Sequence, residues 1–227
     1  MKIVFVSGTG TEVGKTYVAQ QLAVARRDAG LRVGVYKPVA SGCIRQGGNS
    51  EANSTTVGDE LVSADAIALW EAAGCPLDLD AVCPQRFEAA VAPDEAARRS
   101  GQQVDVSQLA RGVDRWRGHC DTLIIEGAGG LLSPLAEDLL NIDLFRMFPD
   151  AELYLVAANR LGVIHEVLAT CRAAAFSQVT VDRLYLSASG PTADDSGHSN
   201  AAQIRHWLPE LDVCELSWGQ RWAEDRD

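Results

Sequence analysis

The sequence predicts a single α/β domain over residues 1–227, in which a mostly parallel sheet carries helices on both faces. Two observations predict this class. Short runs of β-branched and leucine residues alternate along the chain with segments whose apolar residues recur at helical spacing. The chain of 227 residues, 47% of them hydrophobic, can build one sizeable core, whereas two domains would be cramped.

The first elements follow in the order strand, loop, helix, strand. Residues 3–6 form a short apolar strand, and residues 17–27 place apolar side chains on one helical face. A second strand at 31–36 ends before Pro38, which has no backbone donor. The segment 42–58 is rich in Gly, Ser, Asn and Thr, so we expect a mobile loop that orders only with ligand.

The later elements continue the alternation. Helices are predicted at 65–73, 106–116, 163–175 and near 200–207, and an alanine-rich segment at 89–101 is partly helical. Strands are predicted at 122–125, 153–157 and near 181–186. The last strand and the final helix complete the alternation of strands and helices. In such a fold, the chemistry is expected at the carboxyl ends of the strands.

Charge and cysteine content exclude several classes of function. With 20 basic and 31 acidic residues, the net charge of −11 disfavours nucleic acid and anionic membranes as partners. The six cysteines are scattered without the spacing of a zinc site or a redox dithiol. Since the first strand begins near Lys2 and no apolar run approaches the length of a membrane span, we expect a cytosolic enzyme.

A glycine-rich loop between the first strand and the first helix gives the strongest functional signal. Its sequence is Gly8-Thr9-Gly10-Thr11-Glu12-Val13-Gly14-Lys15-Thr16. Backbone N–H groups at a helix N-terminus surround phosphates, Lys15 reaches the outer phosphate oxygens, and the Thr16 hydroxyl can ligate Mg²⁺. Thr9 stands at the usual first glycine, so the loop is a longer variant. The loop therefore predicts a P-loop NTPase-like fold.

Four further residues have a functional interpretation and a structural alternative. Lys37 follows the second strand and would reach the edge of the P-loop, or it is a solvated lysine at a turn. Glu126 ends an apolar strand, where it meets a cation or caps a helix. Asp65 is a metal ligand or a surface residue at a helix start, and Trp218 is a core anchor or a stacking surface for a base.

Three segments taken together closely resemble the dethiobiotin synthetase family. They are the P-loop variant, Tyr36-Lys37-Pro38-Val39-Ala40-Ser41-Gly42 and Glu126-Gly127-Ala128-Gly129-Gly130. Asn159-Arg160-Leu161-Gly162 is similar to a later loop of the family. The resemblance implies a homodimer that uses Mg²⁺ and ATP to close the ureido ring of dethiobiotin on 7,8-diaminononanoate and carbon dioxide. The intermediates would be a carbamate and its carbamic-phosphoric anhydride.

The resemblance also implies roles for individual residues. Lys15 and Lys37 are the catalytic lysines, Thr16, Asp65 and Glu126 hold the metal, and Ser41 contacts the diamine. The loop of Arg160, Leu161, Gly162 and Val163 receives the substrate carboxylate across the dimer interface. The nucleotide-binding residues are Thr11, Glu12, Val13, Gly14, Lys15, Thr16, Tyr17, Asp65, Glu126, Gly127, Ala128, Gly129, Ser187, Ser217, Trp218 and Gly219.

The sequence departs from the family pattern at three positions. Gly10 replaces an Asp in the P-loop, Ser187 stands near an Asn that reads the base, and Ser217 replaces a proline before Trp218. Because a hydroxyl offers fewer oriented hydrogen bonds than a carboxamide, we expect weak selectivity for adenine.

Three alternative functions differ in what they require of the sequence. A partition-type regulatory ATPase is disfavoured by the lack of an extra P-loop lysine and by the acidic tail at 223–227. An amidating ligase of the same superfamily needs a glutaminase domain, for which 227 residues leave no room. A divergent ligase that acts on another amine remains open, because loop side chains build the amine pocket.

Overall fold

Six parallel strands form the central sheet of the computed structural model, which describes residues 1–46, 60–188, 190, 195–219 and 222. In chain order they are β1 (Lys2–Gly8), β2 (Val33–Tyr36), β3 (Thr122–Gly130), β4 (Ala151–Ala158), β5 (Arg183–Ser187) and β6 (Asp212–Leu216). Their order across the sheet is β6-β5-β4-β1-β3-β2. The P-loop strand β1 therefore lies between β3 and β4, and most of the predicted mobile loop at 42–58 lies outside the described residues.

Eight α-helices and one 3₁₀ helix surround the sheet in the described ranges. They are α1 (Lys15–Asp28), α2 (Ala64–Ala72), α3 (Leu79–Val82), α4 (Pro93–Arg99), α5 (Val106–Arg111), α6 (Asn141–Arg146), α7 (Val163–Phe176), α8 (Gly197–Trp207) and the 3₁₀ helix Gly112–Trp116. None of the helices in the described part of the chain is long and apolar enough to cross a bilayer.

Burial on both faces explains the continuous apolar runs of the strands. In β1, Val4, Phe5 and Val6 are all fully buried. Successive residues of β4 enter different apolar clusters: Leu155 packs with α7 and α8, whereas Val156 packs in the larger cluster around β1 and β3. The prediction of a parallel sheet covered on both faces is confirmed.

The helices and strands predicted from the sequence differ from the structure in three places. β6 was missed because this edge strand is only half-buried and lacks an apolar run. β3 continues beyond residue 125 to Gly130, which pairs with Gly8 across a register shift. The predicted helix at 106–116 ends at Arg111 and continues as a 3₁₀ helix over Gly112–Trp116, beside the Tyr36 hydroxyl, which lies 3.0 and 3.1 Å from the carbonyl oxygens of Gln108 and Leu109.

Several short elements were also missed. The four-residue helix α3 and the six-residue helix α6 are too short to show a helical period. Three two-strand ladders lie outside the central sheet, pairing Val39–Ala40 with Gln85–Arg86, Ile44–Gln46 with Glu60–Val62, and Pro134–Ala136 with Leu139–Leu140. The first of these ladders positions the segment that follows Lys37.

Candidate active site

The P-loop is fixed between two strands and the start of α1. Thr9 N donates to Val156 O at 2.9 Å, and Leu131 N donates to Gly8 O at 2.9 Å. Gly14 caps α1 with a φ of +95°, and a Cβ at this position would approach Ser187 Oγ to 2.7 Å. Glycine is therefore required at Gly14 both by the backbone conformation and by the close neighbour.

Lys15 is the first of two buried lysines in the site. Its Nζ donates to Gly10 O at 2.9 Å within the same loop. Burial lowers the pKa of Lys15, Glu126 and Asp65 act against this effect, and the nearby Lys37 ammonium adds to it. Because the ammonium is incompletely compensated by the protein, an anionic phosphate would supply the missing counter-charge.

Lys37 lies between two carboxylates at the carboxyl end of β2. Its Nζ is 2.5 Å from Glu126 Oε1 and 2.8 Å from Asp65 Oδ2. Thr16 Oγ1 donates to the same Glu126 oxygen at 3.0 Å. The side chains of Lys37 and Glu126 are 6% and 1% exposed, whereas that of Asp65 is 50% exposed. One lysine, two carboxylates and the P-loop hydroxyl thus form one compact cluster.

Local sequence explains how each member reaches this cluster. β2 ends at Tyr36, and Glu126 lies within β3, which pairs directly with β2. Asp65 stands in the first turn of α2, where Ser63 Oγ caps the helix by accepting from Ala66 N at 3.3 Å. The shared strand edge therefore predicts the meeting of Lys37 and Glu126, whereas the position of Asp65 depends on the packing of α2.

The electrostatics of the cluster favour its charged forms. Burial alone would lower the pKa of Lys37, but the carboxylates of Glu126 and Asp65 outweigh it and raise that pKa. Burial would likewise raise the pKa of Asp65, whereas the charge and hydrogen bond of Lys37 lower it. Lys37 is therefore a cation at neutral pH and acts as a fixed positive charge.

The cluster suits a magnesium ion. Glu126 Oε2 is buried without a hydrogen-bond partner among the described residues, so this oxygen can accept a cation. The Thr16 hydroxyl and the Asp65 carboxylate lie in the same cluster and offer two further oxygens that a cation could bind. In the described part of the chain, no group of three or more His, Cys, Asp or Glu residues forms a metal cage. Phosphate oxygens and water would complete the shell, as is usual for Mg²⁺.

Two cavities meet at the P-loop. The larger, of about 790 Å³, contains the lysines and carboxylates together with Ser41, and small apolar residues form part of its wall. These are Ala40, Ala90, Val91, Ala92, Pro93, Ala128 and Pro134. The smaller, of about 410 Å³, is lined by Val13, Ala158, Ser187, Ala188, Trp218 and Gly219, and both cavities share Glu12, Gly14 and Tyr17. One ligand can therefore extend across both.

The structure brings most of the predicted site residues together. Thr11, Thr16, Ser41 and Gly129 line the larger cavity, and Ser187, Trp218 and Gly219 line the smaller. Gly127 and Ser217 line neither of these two cavities in the described residues. A Cβ at Gly127 would approach Asn141 Oδ1 to 2.4 Å, so this glycine packs against α6. Ser217 is exposed beside Trp218.

The loop from Arg160 to Val163 lies at the same edge of the sheet but outside these two cavities of the described chain. Arg160 pairs with Glu166 at 2.7 Å, and Leu161 is 78% exposed. Gly162, with a φ of +96°, caps α7, and Val163 is buried.

Sequence reasoning missed two parts of the site. The apolar wall at 90–93 consists of small residues without a recognisable motif, and the alanine-rich composition of 89–101 predicted only partial helix. Asn141 lies outside every motif described above, yet its buried Nδ2 donates to Ala128 O at 2.6 Å and to Gly130 O at 2.8 Å. This amide fixes the backbone that follows Glu126, and no local pattern indicates it.

The chain is similar to curated proteins over nearly its whole length. A family profile described as an AAA domain matches residues 2–220. The chain is 46% identical over 213 residues to the ATP-dependent dethiobiotin synthetase BioD of Rhodopirellula baltica, with 89% of this chain and 79% of the relative covered. It is 31% identical over 226 residues to the protein of that name from Idiomarina loihiensis, with 99% and 96% covered.

Solved structures share the fold at low sequence identity. The signal recognition particle receptor FtsY from Elizabethkingia anophelis has a TM-score of 0.50 and 17% identity, and this chain spans 57% of its length. The hydrogenase maturation factor HypB from Archaeoglobus fulgidus has a TM-score of 0.50 and 14% identity, with 97% of this chain and 84% of the other covered. The predicted P-loop NTPase-like fold is confirmed.

Proposed function

The chain belongs to the ATP-dependent dethiobiotin synthetase family, and we propose that it closes the ureido ring of dethiobiotin on 7,8-diaminononanoate, using carbon dioxide and ATP. An ATP-dependent ligase of biotin synthesis must activate a carbonyl carbon for attack by an amine. The residues of the site must therefore bring the amine, the carbonyl carbon and ATP together.

The proposed reaction has three steps. One amine of the substrate adds to carbon dioxide and loses a proton, which gives a carbamate. A carbamate oxygen attacks the γ-phosphorus of ATP, so that ADP leaves and a carbamic-phosphoric anhydride forms. The second amine attacks the carbonyl carbon, and the ring closes with loss of phosphate and a proton. The middle step requires an anionic carbamate to approach an anionic triphosphate, so fixed positive charge is needed.

Two lysines in one cavity supply that charge. Lys15 lies at the end of the P-loop, and the nearby carboxylates only partly offset the lowering of its pKa by burial. Lys37 projects into the same cavity from the end of β2, and its raised pKa keeps it protonated throughout the reaction. We assign Lys15 to the outer phosphates and Lys37 to the carbamate and the transferred phosphoryl group.

Thr16, Asp65 and Glu126 would hold the magnesium ion, which when bound neutralises phosphate oxygens and orients them. The buried, unpartnered Oε2 of Glu126 supports this assignment. The P-loop N–H groups at the start of α1 would hold the phosphates, and the nucleoside would extend past Tyr17 into the cavity beside Ser187 and Trp218.

The diamine would lie in the larger cavity with its amines near Lys37 and Ser41. The small apolar residues at 90–93 suit the aliphatic chain of such a substrate. We propose that the protein is a homodimer and that the Arg160–Val163 loop of one subunit receives the substrate carboxylate in the other. The exposed position of this loop, outside the two cavities of its own described chain, agrees with that role.

The observation that carries the proposal is the presence of Lys15, Lys37 and Ser41 in one cavity with the metal-binding cluster. The test is to mix the protein with Mg-ATP, ¹³C-bicarbonate and 7,8-diaminononanoate and to detect labelled dethiobiotin by mass. Folded Lys37→Ala protein is the negative control. ATP consumption without dethiobiotin would contradict the substrate assignment and favour a ligase that acts on another amine.

The family relationship does not favour the partition-type regulatory ATPase considered from the sequence. We further propose a cytosolic location, where ATP and bicarbonate are available. The net charge of −11 supports small-molecule substrates over nucleic acid or an anionic membrane.

A further inference from the structure

The carboxylate of Glu166 joins the P-loop to the loop that precedes α7. Its Oε2 accepts a hydrogen bond from Thr9 Oγ1 at 3.3 Å, and its Oε1 accepts one from Arg160 Nη2 at 2.7 Å. Thr9 and Glu166 are separated by 157 residues in the sequence. One side chain thus connects the start of the phosphate-binding loop with the segment to which the substrate carboxylate is assigned.

The sheet brings these two loops side by side. β1 and β4 are adjacent parallel strands, and the hydrogen bond from Thr9 N to Val156 O extends their ladder into the P-loop. Glu166 lies in the first turn of α7, where a carboxylate is favoured by the helix dipole. Its side chain is 28% exposed, which strengthens its charge-assisted hydrogen bonds relative to those of a fully exposed pair.

The far side of the same loop is held independently. Asn200, a buried residue of α8, donates from Nδ2 to Asn159 Oδ1 at 2.8 Å. Asn159 N donates to Ser187 O at 2.8 Å. The backbone of the loop is thus anchored to α8 and β5 at residue 159, while the Arg160 guanidinium donates to Glu166 Oε1 at 2.7 Å and to Leu161 O at 3.4 Å.

We propose that Glu166 is a positioning residue that couples the P-loop to the Arg160 loop. When the phosphates of a nucleotide bind the P-loop, Thr9 fixes one carboxylate oxygen of Glu166, and the other oxygen fixes the guanidinium of Arg160. A methionine at this position has no strong acceptor and can hold neither partner, whereas a glutamine amide could still accept from Arg160 and donate to Thr9. The coupling itself concerns two loops of the chain, whereas its effect on substrate affinity rests on the proposed function.

Hydrogen exchange tests the coupling without requiring synthesis. In the wild-type protein, Mg-ADP should slow exchange in both segments 8–16 and 159–166, the latter by about threefold. In Glu166→Met and in Thr9→Val, segment 8–16 should remain protected by Mg-ADP, whereas the protection of 159–166 should be lost. Equal protection of 159–166 in both variants and wild type, or no protection in wild type, would overturn the proposal.

Steady-state kinetics then separates positioning from a general loss of structure. In Glu166→Met, the KM for the diamine should rise by roughly tenfold, the effect of one charge-assisted hydrogen bond, while kcat and the KM for ATP change by less than about threefold. Glu71→Met makes the same substitution at an exposed position of α2 and should leave all three constants unchanged. An unchanged diamine KM would contradict the positioning role. Failure of the wild-type protein to make dethiobiotin would instead count against the proposed function, and the exchange result would still decide the coupling.

Discussion

Lys37→Met should destabilise the protein far more than the loss of an ordinary lysine. Methionine preserves most of the length of the side chain but removes the ammonium that contacts Glu126 Oε1 at 2.5 Å and Asp65 Oδ2 at 2.8 Å. Glu126 would then remain buried with the hydroxyl of Thr16 as its described partner. The half-exposed Asp65 is solvated in either case.

The size of the effect follows from these two environments. Removing one partner of a buried ion pair costs about 3–5 kcal/mol, because the other charge is left without compensation. The contact with Asp65 adds about 0–1 kcal/mol, since solvent screens an exposed carboxylate. We therefore expect the free energy of unfolding to fall by about 3–5 kcal/mol, and ATP-dependent synthesis to be lost.

Urea unfolding followed by circular dichroism is the assay, and the chain offers a matched control. Lys2 and Glu152 form a pair at 2.8 Å whose side chains are 55% and 37% exposed. Lys2→Met should cost less than about 1 kcal/mol. The double variant Lys37→Met/Glu126→Gln should recover most of the stability lost in Lys37→Met, because position 126 no longer carries a buried charge that has lost its lysine partner, while Lys15 keeps the nearby Asp65.

The reasoning would be refuted if Lys37→Met and Lys2→Met lost similar stability, or if the double variant were as unstable as the sum of its single variants. Activity near wild type in folded Lys37→Met would separately remove the catalytic role of Lys37.

Three further predictions concern the nucleotide and the metal. Lys15→Ala should reduce kcat/KM for synthesis by about 10²-fold or more while leaving the protein folded, since the outer phosphates lose a fixed charge, and near-normal kinetics would contradict this role. Asp65→Asn should raise the magnesium concentration needed for half-maximal synthesis and for Mg-ADP binding, because a neutral oxygen binds the ion less well; an unchanged magnesium titration would return Asp65 to a structural role. CTP, GTP and UTP should support measurable synthesis, because Ser187 offers one short hydroxyl in the smaller cavity; an ATP preference above about a thousandfold in kcat/KM would show that backbone groups near Trp218 read adenine.

The parts of the site that lie on strand ends could be predicted from the sequence. The P-loop, Lys37 and Glu126 each follow or end an apolar run, and parallel strands bring such positions to one edge of the sheet. Their contact could therefore be predicted without knowledge of the loops. The structure adds that Lys37 bridges two carboxylates, which no spacing in the sequence indicates.

The remaining parts depend on tertiary packing. Asp65 reaches Lys37 because α2 packs beside α1 and β2, and a helix start alone does not reveal its neighbours. Asn141 holds the backbone after Glu126 from a six-residue helix without a periodic signal. The edge strand β6 was missed because its five residues are half-buried and show neither an apolar run nor a strict alternation.

The central position of β1 also constrains how the chain folds during synthesis. The Ile3 residue of β1 pairs with Leu123 in β3 and with Ala151 in β4, so roughly 150 residues must be made before both neighbours exist. At about 5–20 residues per second, the strand spends roughly 7–30 s without its complete pairing partners on the ribosome. Until then Val4, Phe5 and Val6, which are fully buried in the folded protein, remain exposed apolar surface. A nascent chain shorter than this length cannot yet hold its P-loop between two paired strands, so nucleotide can stabilise the protein only late in translation.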